Sequence, residues 1–152
     1  MSPGGLPKRP VPEAFLTPLG FEGDSVAHPD IHGGARKAVL LITAEGIDEL
    51  IARGYPLFYG AMGENLTARG LERRMLRTGQ RFRVGEAIIE LTTLRKPCGS
   101  LEVYSPELKN EIYEAGMHPS HPAWGLGGFY AAVLKPGWVR AGDPIALSEM
   151  LV

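Results

Sequence analysis

Hydrophobic residues along this chain come in short runs separated by glycine, proline and charge, and few of those runs are long enough for an extended helix. Lys37-Ala-Val-Leu-Leu-Ile42 is a continuous apolar run of strand length. Thr43 follows as an N-cap, Ala44 and Glu45 open a helix, and Gly54 closes it, with Ile47, Leu50 and Ile51 spaced to form one apolar face. From Met75 to Gly85 apolar and polar residues alternate, which predicts a half-buried strand, and Glu86 to Leu94 predicts a second. Ser105-Pro106 through Gly116 has an N-cap serine, proline at the first helical position and a terminal glycine, so it reads as a helix. Gly128 to Leu134 predicts another strand and Pro136-Gly137 a turn. A last pair of strands, Trp138 to Arg140 and Pro144 to Leu147, is joined through Ala141-Gly142-Asp143.

The remaining segments are irregular. Residues 1–14 are rich in proline and glycine and favour an extended path. Ala14 to Leu19 makes a short strand cut by Pro18, and Gly20 to Asp24 a turn. His28 to Gly34 is a polar loop ending in two glycines, Gly60 to Thr67 a glycine-bracketed loop entering a short strand, and His118 to Pro122 a proline-broken loop. Twenty glycines and thirteen prolines in 152 residues punctuate the chain as in a barrel or sandwich. The expected fold class is mainly β (α+β), a barrel of antiparallel or mixed strands with about two short helices, in one domain spanning residues 1–152.

Charge narrows the function classes. Sixteen Lys and Arg against 17 Asp and Glu give a formal net charge of −1, which argues against a general nucleic-acid or membrane-surface binder. No segment approaches the ~20 apolar residues of a membrane helix, and Met1-Ser-Pro-Gly-Gly lacks the apolar core of a signal peptide. One cysteine cannot form an internal disulfide, which fits a reducing cytoplasm.

Candidate chemistry centres on Leu91-Thr-Thr-Leu-Arg-Lys-Pro-Cys98. A thiol at the mouth of a strand, preceded by Arg95 and Lys96, is in a setting that lowers a cysteine pKa, and the thiolate is both a nucleophile and a soft metal ligand. Taken alone, a single cysteine more often packs than reacts. His32-Gly33-Gly34 is the second constellation: its glycines expose successive amides that can cradle an anion, with Arg36 and Lys37 close behind. The competing reading is a tight turn with a surface histidine. Gly63-Glu64-Asn65 reads first as a structural turn, and second as a pair of side chains able to hydrogen-bond a heterocycle. The arginines from Arg69 to Arg83 read mostly as solvated or ion-paired. His28, His118 and His121 form no metal-ligand spacing with Cys98, and neither a phosphate-binding loop, a dinucleotide fingerprint nor a Gly-x-Ser-x-Gly elbow occurs.

Taken in order, these pieces resemble the MOSC domain, the family named after the C-terminal domain of molybdenum cofactor sulfurase. The matching residues are Gly23-Asp24, His32-Gly33-Gly34 with Ala38-Val39, Gly63-Glu64-Asn65-Leu66-Thr67, Gly79 with Gly85, Arg95-x-Pro97-Cys98, and Gly142-Asp143. The resemblance implies a β-barrel fold and binding of the molybdenum cofactor (molybdopterin). Cys98 would be the catalytic sulfur carrier or the molybdenum ligand, and His32, Gly33, Gly34, Lys37, Glu64, Asn65 and Arg95 would line the cofactor pocket. Two activities stay open: reduction of small N-hydroxylated compounds with an electron-donor protein, or sulfur transfer in which a cysteine desulfurase loads Cys98 with persulfide. A non-catalytic cofactor-binding barrel is the third reading. Pyridoxal phosphate is not expected, because the desulfurase domain that carries it in the full sulfurase has no counterpart here. The family begins with a strand ahead of the segment matched by Ser2-Pro-Gly-Gly-x-Pro-Lys8, so the expectation is a barrel short of one edge or a longer native start. A homodimer covering that edge would follow. Ser25-Val26-Ala27 also replaces the basic residues that often follow the Gly-Asp pair.

Overall fold

The computed structural model describes residues 8, 10–23, 35–97 and 99–148. A six-stranded sheet in the order β4-β3-β7-β6-β5-β9 curls into a nearly closed barrel. Its members are β3 (Val39–Thr43), β4 (Leu66–Ala68), β5 (Arg81–Val84), β6 (Ala87–Leu94), β7 (Phe129–Lys135) and β9 (Ile145–Leu147). A smaller sheet, ordered β2-β1-β8, stands beside it and is built from β1 (Glu13–Thr17), β2 (Gly20–Phe21) and β8 (Gly137–Arg140). Among the described residues the β3–β4 pair alone is parallel and the other pairings are antiparallel. The two α-helices are α1 (Ala44–Ala52) and α2 (Leu108–Ile112).

The apolar run at β3 has no alternation because both of its faces are covered, as in strands buried between two layers. Val39 and Leu41 face a core shared with Phe82, Ile89, Leu91 and Phe129. Leu40 and Ile42 face a second core with Ile47 and Leu50 of α1, Leu101, and Leu108 and Ile112 of α2. Gly128 starts β7 with φ of +86°, and a Cβ there would lie 2.4 Å from the Leu41 carbonyl oxygen, so the close approach of β7 to β3 requires glycine.

Helix α1 forms as its pattern predicts. Thr43 Oγ1 accepts from the Gly46 amide at 3.1 Å, and Ile47 and Leu50 are buried, while Ile51 lies exposed on the flank. Several other expectations are corrected. The predicted helix from Ser105 to Gly116 shrinks to α2, because Ser105 turns its hydroxyl to the Glu107 amide and carboxylate and Tyr113 is already extended. The strand predicted from Met75 begins only at Arg81, after a 3₁₀ turn over Arg73–Met75. Gly20-Phe21 is strand rather than turn: the hairpin bends at Pro18-Leu19, with the Thr17 hydroxyl bonded to the Gly20 carbonyl. The last two strands do not pair with each other. Asp143 turns the chain by taking the Arg140 amide, which sends β8 to β1 and β9 to β5.

Candidate functional site

The short turn from Gly60 to Glu64 organises the residues that can be placed. Gly60 has φ of +99°, and a Cβ there would sit 2.1 Å from the carbonyl oxygen of Lys8, whose own amide donates to the Gly60 carbonyl at 2.8 Å. Glycine is therefore forced at this position. The Glu64 side chain, only 3% exposed, folds back into the turn. Its carboxylate accepts from the amides of Gly60 at 3.0 Å and Met62 at 3.2 Å, with the Thr67 hydroxyl at 3.4 Å. Burial pushes the Glu64 carboxyl above its ordinary value, opposed by the Gly60 amide, by the Arg95 guanidinium and by the Met62 amide.

Arg95 is the first residue after β6, and at 4% exposure it is about as buried as Glu64. Its amide donates to the Gly128 carbonyl at 2.9 Å, which fixes the strand end against the start of β7. Beyond it Lys96 is exposed, Pro97 half-buried, and Cys98 follows. The chain then forms a 3₁₀ turn over Gly99–Val103. Leu101 of that turn packs in the same core as Ala61 and Met62, and the Tyr104 hydroxyl donates to the Ala61 carbonyl at 2.6 Å. Burial and the nearby Glu64 charge raise the Tyr104 pKa. The Gly60–Glu64 turn thus holds the chain on both sides of Cys98: through the Glu64 and Arg95 charges before it, and through Leu101 and Tyr104 after it.

The residues singled out in the sequence fall into three groups. Glu64 and Arg95 are brought together. Asn65 and Lys37 are placed with structural partners: Asn65 Oδ1 accepts from the Leu40 amide at 2.8 Å while its amide donates back to the Leu40 carbonyl, and Lys37 Nζ stands 5.2 Å from the Tyr130 ring centroid. His32, Gly33, Gly34 and Cys98 lie outside the described residues. Tyr104 is the residue that sequence reading missed, and Thr67, quoted in the glycine-loop motif, has no assigned role there. The Tyr104 contact spans 43 positions and leaves no local pattern to find. Arg73 is a further surprise among the arginines read as surface: it is 6% exposed and donates to the carbonyls of Pro122 and Trp124 and to Glu49. Among the described residues no three His, Cys, Asp or Glu side chains converge as metal ligands. No helix among them is long and apolar enough to cross a membrane.

Comparison with known proteins supplies the family. The MOSC domain model matches residues 28–146. The chain is 34% identical over 149 residues to the uncharacterized protein YflK of Bacillus subtilis, covering 94% of this chain and 62% of that protein. It is 34% identical over 140 residues to the protein YiiM of Escherichia coli, covering 89% of this chain and 59% of that one. The crystal structure of Escherichia coli YiiM superposes with a TM-score of 0.69 at 28% identity, over 91% of this chain and 63% of the other. That of YiiM from Geobacillus stearothermophilus gives 0.61 at 30% identity, over 74% and 54%. The chain thus spans about three fifths of the length of the curated relatives it matches. With the matched region taking in most of the chain and the barrel shared with solved relatives, the protein belongs to the MOSC domain family.

Proposed function

We propose that this protein binds the molybdenum cofactor at the end of β6, with Cys98 as its thiolate ligand, and acts in the reduction of small N-hydroxylated compounds. The observation that carries the reading is the buried Arg95, held beside Glu64 at the root of the segment that delivers Cys98. The donor set fits the group. A guanidinium and the adjacent Lys96 ammonium suit an anionic phosphate, and a thiol beside cations is shifted toward the thiolate that a soft metal site takes. When bound, the cofactor would supply a metal centre able to change oxidation state.

The residues of the chain itself do the rest. Arg95 and Lys96 bring positive charge to the cysteine segment, and the Glu64 carboxylate lies close enough to feel the buried part of that charge. His32, Gly33 and Gly34 would add amide and imidazole donors to the anionic end. Lys37 would contribute charge only by leaving the Tyr130 ring, and Asn65 only by releasing Leu40, which makes these two the weaker members of the proposed set.

Molybdenum and pterin analysis of protein from a cofactor-competent host, beside Cys98→Ser, tests the proposal. Near-stoichiometric molybdenum in the parent and loss in the variant are expected. Molybdenum retained in full by Cys98→Ser would overturn the ligand assignment. Absence from both, with one added sulfur atom on Cys98 after incubation with a cysteine desulfurase, would turn the reading to a persulfide carrier.

A further inference from the structure

The nearly closed barrel leaves a groove of about 720 Å³ between its two edge strands. One wall is β4, which among the described residues pairs only with β3, and the other is the start of β9, which among them pairs only with β5. The small sheet stands behind them, with Val139 and Phe21 facing the space, and Leu66, Ala68, Val84 and Ile145 complete the apolar lining. The volume is that of a small-molecule site, and the mainly apolar lining with a few polar groups is the usual composition of one.

Charge defines what such a ligand can be. Three cations and three anions border the groove, and the structure already commits most of them. Arg140 pairs with Glu13 at 3.1 Å, Asp143 takes the Arg140 amide, Arg69 pairs with Asp48, and the Glu64 carboxylate is held by Gly60 and Met62. A charged guest would give up its water without a dedicated counter-charge, at a substantial free-energy cost. A neutral guest meets apolar surface and, on the outer sides of β4 and β9, main-chain donors and acceptors of the kind that pair with an amide.

We propose that this groove is a binding site for a neutral, planar amide-bearing molecule, its ring on the apolar lining and its amide against the edge-strand backbone. The groove adjoins the cofactor site proposed above, sharing Glu64 and Asn65 with it, and its occupancy by such a molecule does not depend on the cofactor. Glu64 borders both, its carboxylate near Arg95 and its residue in the groove wall. Each edge strand is three residues long, too short to template an extended peptide and long enough to hold one amide.

Three probes of one shape and different charge decide the matter: benzamide, benzoate and benzamidine, each titrated into the full chain while backbone amide NMR shifts are followed. Benzamide should move the Leu66–Ala68 and Ile145 signals, with affinity about tenfold or more above either charged probe. Ile145→Trp should abolish that response, and Ile145→Lys should turn the preference toward benzoate. No shift with benzamide, shifts mapping elsewhere, or a parent that prefers a charged probe would each overturn the site. A capped peptide that binds where benzamide does not would assign the groove to strand addition instead.

Discussion

Two buried arginines differ in what surrounds them: one is fully taken up by its own loop and helix, the other stands at the root of the segment that carries Cys98. Arg73 enters the interior from a 3₁₀ turn, and the interior answers it completely, with two carbonyls from the Pro122–Trp124 loop and a carboxylate from α1. Arg95 is buried to the same degree, yet its counter-charge is a glutamate that a glycine turn has first drawn inward, and the next residues in the chain are Lys96, Pro97 and Cys98. The first arrangement ties a loop to a helix. The second buries positive charge just ahead, in the chain, of the cysteine. Burial of a cation does not by itself mark chemistry; what the charge is aimed toward does.

Breaking the structural arginine should have the largest effect. Arg73→Met removes the guanidinium and strands the Pro122 and Trp124 carbonyls, and should cost about 3 kcal/mol of unfolding free energy, measured as a lowered urea midpoint. Cys98 alkylation in the folded fraction should stay at the parent rate. A folded Arg73→Met protein with altered alkylation would erase the division drawn above.

Glu64→Gln probes the surroundings of the other arginine and should cost about 2 kcal/mol at neutral pH, because the glutamine NH2 group faces a Gly60 or Met62 amide that in the parent donates to a carboxylate oxygen. Its pH dependence gives a sharper reading. Burial holds the Glu64 carboxyl above its unfolded value, so the group contributes stability below the ordinary glutamate range, and that contribution is lost as pH rises through the raised folded value. The margin of the parent over Glu64→Gln should therefore widen on acidification and narrow toward neutrality. Urea midpoints across that range check it, and a margin that narrows in acid contradicts the assignment.

Smaller losses sharpen the picture. Tyr104→Phe removes one hydrogen bond to Ala61 and should lower stability by about 1 kcal/mol. Amide hydrogen exchange should rise most over Gly99–Val103 rather than in α1. Lys37→Met should cost about 0.5 kcal/mol, the scale of one partly exposed cation–π contact. A much larger loss would make Lys37 a structural cation of the Arg73 kind.

Where a single layer decides the structure, the sequence reads correctly. The Thr43 cap, the buried pair Ile47 and Leu50, and the turn at Gly54 are local, and α1 follows from them. The apolar run at Lys37–Ile42 announces a strand, though its first residues turn as 3₁₀ and the strand begins at Val39. Local signals mislead where tertiary contacts compete: Ser105 and Pro106 look like a helix start, but the chain must turn away at Tyr113. The ordered residues from Gly23 to Asp143 make the family legible. The burial of Arg73 and the grip of Tyr104 are not, because each depends on partners far away in the chain; the partners of Glu64 are local, but the same glycine turn suits an outward side chain as well.

The small sheet has a consequence for how the chain comes to be folded. Glu13 and Arg140 meet across 127 positions, and β1 cannot pair with β8 until the chain has been made through Arg140. Contacts that distant carry a large loop-closure cost, and domains rich in them fold slowly. During synthesis β1 must wait for β8, so the back wall of the groove is assembled late. Conditions that slow release or destabilise late pairing should therefore deplete the finished groove before they touch the helical face of the barrel.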